Sequence, residues 1–495
     1  MANSEHLAQF QQGITAWNDW RRQHMDIVPD LNGANFTGSK LCGINLSGTL
    51  LNGSTFNKAD LSGADLSRAT LSQANLRGTL LKGSTLRGTI LWEANFSVAD
   101  LSGAILRGAV LRGAIFWEAS LCRAILTGAT LSSATLNGAN LNGANLDGAD
   151  LRGANLFQAH LIRTTLFQSD LTGADLIRAD LREASMRGAI LSGANLSGAD
   201  LQDANLSDAQ LHSVILSGAD LRRADLQRAT LNEAILSSTN LAGAKLSLAS
   251  FNRATLFQAD LSKALLHAAN LEQADLGRAN LTTAQLTGAN LHGAILVATN
   301  CCGADLCQTN LTGACIENWT IDAATQFEEI RCDYIFLKHV DGEASERRPS
   351  DPEQTFVPGE FVRLLPQALH SVEITFDHYI NWQAFLQAFQ ALRQKHGDRS
   401  VSIQAVESQK AGILRIRLLL HTGIDRVVIQ QELQRGYQLA VGASVQSQRA
   451  AGPEVAKGNV EAMDSNRATS QTVAGATAQG ASLLNVVQML ARMQQ

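Results

Sequence analysis

The chain has 495 residues, 45% of them apolar but only 5% aromatic, with 40 glycines against 6 prolines, which excludes both a disordered chain and large cores built on aromatic anchors. Forty basic against 45 acidic residues leave a net charge of −5, too balanced for a protein that grips duplex nucleic acid by neutralising phosphates or rests on an anionic membrane. No apolar run of about 18 residues occurs, the start Met1-Ala2-Asn3-Ser4-Glu5 is neither basic nor apolar, and the seven cysteines form no disulfide framework, so a reducing, cytoplasmic setting is expected.

Residues 4–24 predict a helix. Leu7, Phe10, Ile14 and Trp17 fall on one face, and Ser4 stands where an N-cap belongs. Pro29-Asp30 leads directly into the next element, so 1–28 is expected to cap its open edge against edge-to-edge association.

From Leu31 to Ile316 every fifth residue is apolar: 58 positions, 50 of them Leu and five Phe (Phe36, Phe56, Phe96, Phe116, Phe251), with Met186, Cys301 and Ile316 the remainder. Two residues before each stands a small one, usually Ala, with Ile44 and Val214 the misfits. Asp or Asn is frequent just before the Leu, and Gly two after it. At 100° per residue, a spacing of five carries successive leucines off any single helix face. An odd spacing also sends alternate leucines to opposite faces of a flat strand. The chain must therefore turn about once per repeat and stack coil on coil, with the leucines pointing to a common axis.

This block, 31 to about 320, resembles the pentapeptide-repeat family, whose members wind four repeats per coil into a right-handed quadrilateral β-helix. The resemblance implies an all-β solenoid over 29–321, with coils about 4.8 Å apart and a rod roughly 70 Å long. The segment Ala16-Trp17-Asn18-Asp19-Trp20-Arg21-Arg22 and the passage after Ile316 look like those of cyanobacterial members.

Residues 322–358 read as a C-terminal cap and linker, with a strand-like run at Cys332-Asp333-Tyr334-Ile335-Phe336-Leu337 and a loop bracketed by 346–350 and 358–361. A small α/β domain follows over 359–440: strand 372–376, helix 381–396, strands 401–407 and 412–420, helix 425–438. Ala, Ser, Gln and Gly dominate 441–480, which reads as a flexible linker, and 481–495 reads as an amphipathic helix through Leu483, Leu484, Val487 and Leu490.

No nucleotide-binding, metalloprotease or nucleophile-elbow motif is present. His160, His212, His267 and His292 point outward, too far apart to share a metal. Cys301, Cys302, Cys307, Cys315 and Cys332 cluster without a zinc-type spacing, and Asp377-His378 and His421 lack a nucleophile. No catalytic residue, cofactor or metal is therefore expected. Asp180, Asp200 and Asp220 should stack in one column, with Arg182 and Arg222 compensating their repulsion. The family resemblance brings forward mimicry of duplex DNA to modulate DNA gyrase, but 31–320 carries 22 acidic against 21 basic residues, whereas a mimic needs a strongly acidic wall. An enzymatic or regulatory effector in the α/β domain is the other alternative. The preferred reading is a non-enzymatic scaffold that binds a protein partner or a second copy. Ile115, Trp117, Phe157, Ile177, Ile215, Ile235, Phe257, Ile295 and Val297 are apolar at outward positions, and in a twenty-residue coil all nine fall on one wall.

Overall fold

A five-residue period demands a turn per repeat, and the hydrogen bonds show it. Ala64 N–H donates to Leu61 O at 3.0 Å, with Gly63 between them at a φ of 64°, the positive third-residue φ of a type II turn. The same accounting satisfies every N–H of repeat 61–65. Leu61 donates to Leu80 O, Gly63 to Lys82 O and Asp65 to Ile44 O, all within 2.9 Å. Ser62, the one amide that no backbone carbonyl reaches, donates to Asp60 Oδ1 at 3.0 Å. That side-chain turn explains why Asp and Asn precede the leucines.

The computed structural model describes residues 2–450 apart from 323, 341, 363–364, 366–370, 377–379, 398–400, 409–413 and 421–425. Two compact units divide the chain, Met1–Leu369 and His370–Gln495. In the first, parallel bridges join residues twenty apart, as in Asp30 with Leu50, Asp60 with Leu80 and Asp180 with Asp200, so four repeats make one coil. All 58 repeat-centre side chains are 4% exposed or less. Phe36 stacks on Phe56, and Phe96 on Phe116, each with ring centroids 4.8 Å apart, the spacing of hydrogen-bonded strands. Threonines at the small position bond inward: Thr79, Thr164 and Thr239 Oγ1 donate to Phe56, Leu141 and Leu216 O, 23 residues back. For Thr49 that partner would precede the first coil, and its hydroxyl finds none among the described residues.

The N-terminal segment is two helices rather than one. α1 spans Ser4–Gln11 and α2 Ile14–Gln23, separated by Gly13, whose φ of 100° a continuous helix does not accommodate. The N-cap is Asn3 instead of Ser4; its Oδ1 accepts the Glu5 and His6 amides. Both helices lie on the first coil. Phe10 meets Phe36 at 4.7 Å, extending the internal Phe36–Phe56 stack. Trp17 is fully buried, with its Nε1–H donating to Asn45 O at 2.7 Å, and the Arg21 guanidinium donates to Ile27 O and Ser47 O.

Coiling outlasts the leucine pattern. Bridges continue from Asn300 to Thr320, Asp305 to Gln326, Asn310 to Arg331 and Cys315 to Phe336, so the spacing grows from 20 to 21. Asp322 Oδ1 accepts the Gly303 and Ala324 amides, and Thr325 Oγ1 donates to Cys301 O, which holds this irregular corner in place. The coil thus extends past the expected boundary at 321, because one inserted residue hides the period without breaking the ladder. Strands β1 (Ile335–Val340) and β2 (Glu343–Arg348) then form an antiparallel hairpin. Glu346, Arg347 and Arg348, at the border of the expected loop, are the end of β2.

The second unit holds β3 (Ser371–Phe376), α3 (Trp382–His396), β4 (Val401–Ser408), β5 (Leu414–Leu420) and α4 (Arg426–Ala450). Its antiparallel sheet has the order β3-β5-β4. Val372, Ile374, Ile416 and Leu418 meet Phe385 and Phe389 of α3 and Ile429 and Leu433 of α4 in one core. Asn381 caps α3, its Oδ1 accepting the Ala384 amide. α4 continues through Ala450, ten residues into the expected linker, since nothing between 441 and 450 forbids a helix. The rest of that linker, the 481–495 segment and the positions of Asp377, His378 and His421 lie outside the described residues.

Two variants test the inward-outward alternation. Leu146→Asp places an unpaired carboxylate in the coil interior and should cost about 3–5 kcal/mol. Asp147 points outward and accepts the Phe167 amide at 2.9 Å, so Asp147→Asn, which keeps the acceptor, should cost under about 0.5 kcal/mol. Equal shifts in thermal melting would refute the assignment. Deleting residues 2–28 uncovers the backbone of the first coil and should produce concentration-dependent association in sedimentation; a monomeric, equally stable truncation would show that the helices do not cap.

Candidate interaction face

Outward positions of the coil unit form columns twenty residues apart, so the candidate face can be followed coil by coil. Ile115, Ile215, Ile235 and Ile295 occupy the bridged column. Ile215 pairs directly with Ile235, whereas Ile115 lies between Asn95 and Thr135. Trp117, Phe157, Ile177, Phe257 and Val297 stand two residues on, in the neighbouring column. Phe157 and Ile177 are on successive coils, since Gln158 N–H donates to Ile177 O. All nine share one wall, but they are not one patch. Asn137 interrupts the series after Trp117, and Asn195 and Ser197 interrupt it after Ile177.

Exposure separates them further. Ile115 is 37% exposed, Trp117 44% and Ile235 41%; Phe157, Ile177, Ile215, Phe257, Ile295 and Val297 are half-buried. Phe257 shows why. Its ring lies over Gly277 of the next coil, close enough that a Cβ built there would come within 3.1 Å of it, and the Arg278 guanidinium sits 5.7 Å from the ring centroid. It seals its own surface, as aromatics on a coil wall can.

Other exposed apolar residues lie outside these two columns. Trp92 is 53% exposed and Val98 41%. Val98 is the second residue after Phe96, the left-handed position that glycine fills in 27 of the 58 repeats, and takes a φ of 51°; its N–H donates to Trp117 O. A β-branched side chain in the left-handed region is strained. The signal available in the sequence is a β-branched apolar residue at an outward turn position otherwise held by glycine or, in most other cases, by polar residues.

Charges on the walls pair with one another. Asp180, Asp200 and Asp220 do stack on successive coils. Arg182 bonds Asp180 at 2.6 Å and reaches Asp200 at 3.6 Å, and Arg222 bonds Asp220 at 2.6 Å. The Arg182 hydrogen bond holds the Asp180 carboxyl below its ordinary range against the opposing effect of burial. Coil-to-coil pairs run parallel to these: Arg163 with Glu183, Arg223 with Asp203, and Arg228 with Asp208. Cys301 is buried in the coil interior and its thiol is pushed up to about 12 by desolvation, as is that of Cys332. Among the described residues no three His, Cys, Asp or Glu side chains are disposed to hold a metal ion, and no helix is long and apolar enough to cross a membrane.

The family model for pentapeptide repeats matches in successive segments from residues 30–68 to 284–318. The chain belongs to the pentapeptide-repeat family. Membership implies a right-handed β-helix for the coil unit of this pentapeptide-repeat protein, consistent with its twenty-residue bridges. No curated protein matches. Among solved structures, HetL, involved in heterocyst differentiation regulation in the cyanobacterium Nostoc sp. strain PCC 7120, is 37% identical over 49% of this chain and 89% of its own, with a TM-score of 0.22. QnrB1, a plasmid-mediated fluoroquinolone resistance protein, is 20% identical over 35% of this chain and 91% of its own, also at 0.22. Rfr23 from the cyanobacterium Cyanothece 51142 is 31% identical over 23% and 60%, at 0.08.

The charge ladder predicts a pH dependence with a definite sign. Asp180 has its folded pKa lowered by Arg182, so the stability it contributes is present above the unfolded value of about 3.9 and is lost as pH falls through the lower folded value. Arg182→Gln should therefore destabilise the coil at pH 7, and its deficit against wild type should shrink below about pH 4. NMR titration should show the Asp180 carboxyl rising in the variant; an unchanged titration would remove the guanidinium as its cause.

Proposed function

We propose that this protein is a non-enzymatic, cytoplasmic scaffold that binds a protein partner, or a second copy of itself, through the wall bearing Ile115 and Trp117. The observation that carries this reading is the exposure of Ile115 and Trp117 two residues apart on one wall, at 37% and 44%, with exposed Val98 beside them on the neighbouring coil. Trp, Ile and Val together supply the rigid apolar area of a binding anchor. Phe157, Ile177, Ile215, Ile235, Phe257, Ile295 and Val297 extend the same wall, with the flat ones contributing smooth surface instead of anchors.

A non-catalytic role is supported by the carboxylates. Asp100, Asp150, Asp180, Glu183, Asp203 and Asp208 all have their pKa lowered by hydrogen bonds to neighbouring side chains or guanidinium groups, the reverse of what a general acid at neutral pH needs. The buried, protonated thiols of Cys301 and Cys332 suit a reducing compartment. A DNA mimic acting on gyrase is the weaker reading, because the acidic columns are neutralised by arginines of the same wall.

Ile115→Ser with Trp117→Ser tests the scaffold. Both side chains are about 40% exposed, so thermal stability should fall by no more than about 0.5 kcal/mol each. Association with the partner captured by wild-type protein, or the dimer seen in sedimentation, should be lost. Retention of both would move the binding face elsewhere.

A further inference from the structure

Arginines of the coil unit pair in a recurring way, and three of them lack the residues that this pairing uses. Arg152, Arg182 and Arg222 each stand just after a repeat centre and bond the aspartate two residues before, Asp150, Asp180 and Asp220, at 2.8, 2.6 and 2.6 Å. The first two also reach the aspartate of the next coil, Asp170 and Asp200. Arg87, Arg107 and Arg112 hold the same place in their repeats. Where aspartates would stand, they have Thr85, Ile105 and Val110 in their own repeats, and Ile105, Ile125 and Thr130 on the next coil. All three arginines are exposed, and their guanidinium groups have no partner among the described residues. They also lie together. Gly88 N–H donates to Arg107 O, so Arg87 and Arg107 stand on successive coils of one wall, about 4.8 Å apart along the axis, where like charges repel. Repeat 104–108 runs directly into 109–113, which carries the patch round a corner: Ile90 bridges Val110, and Trp92, 53% exposed, adjoins Arg112, since Glu93 N–H donates to Arg112 O.

We propose that these two walls bind an acidic segment of a partner protein, whose carboxylates pair with Arg87, Arg107 and Arg112 and whose apolar side chains pack on Ile105, Val110 and Trp92. The uncompensated charge sets the sign of the partner, and the aliphatic residues set its class. Elsewhere on the rod the fold supplies the carboxylate itself; here it supplies an apolar contact and leaves the carboxylate to come from outside. Guanidinium groups suit planar, bidentate recognition of carboxylates, and Trp and Arg are the residues that most often anchor protein interfaces. A nucleic-acid backbone would use the arginines but not the β-branched side chains between them, and would meet exposed Glu93 beside Trp92. A second copy is a poor source of the carboxylates, because its Asp150, Asp180 and Asp220 are already bonded to arginines. The wall bearing Ile115 and Trp117 is the next one round the coil, so this site is separate from the scaffold face proposed above.

Fluorescence anisotropy on the full chain tests this with a labelled peptide of alternating Asp and Leu, about ten residues long and roughly 33 Å when extended, enough to cross the patch. Wild type should bind it with an affinity that falls as salt is raised. Replacing three exposed pairs at once, through Arg87→Gln, Arg107→Gln and Arg112→Gln, should weaken binding about tenfold. Arg163→Gln, whose arginine is already paired with Glu183, should leave it unchanged. Ile105→Asp with Val110→Asp installs the carboxylates that the other arginines use; peptide binding should weaken by a similar factor without a fall in melting temperature, which separates neutralised arginines from a damaged coil. The Ile115→Ser, Trp117→Ser variant should bind the peptide as wild type does, so the two surfaces stand or fail separately. Wild-type affinity in the triple arginine variant overturns the proposal, as does an absence of binding by wild type. Tighter binding of a labelled oligothymidylate than of the peptide overturns it too, by assigning the arginines to phosphates.

Discussion

Everything in the coil unit depends on one closure: the N–H of the small residue bonding back to the carbonyl of the leucine three before it, with a left-handed residue between. Ala64 to Leu61 through Gly63 is the pattern. It turns the chain once per repeat, aims each leucine at the axis, and frees the remaining amides to bond to the coils above and below. Because the first and third residues donate forward and the fifth backward, each coil is useful only with neighbours. The ends are therefore where other structure must appear, and α1, α2 and the β1–β2 hairpin are what appears there.

The interior was legible because that closure has a sequence period. The leucine positions, the small residue before them and the Asp or Asn that bonds the spare amide all follow from counting in fives. Where the count fails, so did the reading. Gly13 splits the N-terminal helix without disturbing its apolar face, which continues across the break through Phe10 and Trp17. The coil past Ile316 escaped because one extra residue shifts the bridges from 20 to 21, and backbone pairing tolerates an insertion that a strict period does not. α4 outran its expected end because Ala, Ser and Gln suit a helix as well as a linker.

The wall was legible in address but not in relief. Division by twenty places all nine apolar residues on one wall, yet exposure depends on what the adjacent coil offers. Phe257 lies flat because residue 277 is glycine, a fact the sequence contains if column neighbours are read together. Trp92 and Val98 stand outside the columns of Ile115 and Trp117, so counting by twenty along those columns does not reach them.

Residues other than glycine hold 31 of the 58 left-handed turn positions, so the turn accepts them, and some of them also build the charge ladder. Arg163, Glu183, Asp203, Arg223, Asp208 and Arg228 all have positive φ, and each bonds a charged partner one coil away, so the conformational cost is at least partly offset within the fold. Exposed pairs of this type contribute little individually, but they neutralise the wall and account for the charges locally. Val98 and Leu248 have no ion pair available to them: both side chains are apolar, left-handed and exposed. The turn itself, closed by the bond from the small residue back to the repeat centre, holds such residues in place. Exposure of apolar area, and not backbone strain, is therefore what sets the surface beside Trp117 apart from the charged ladder.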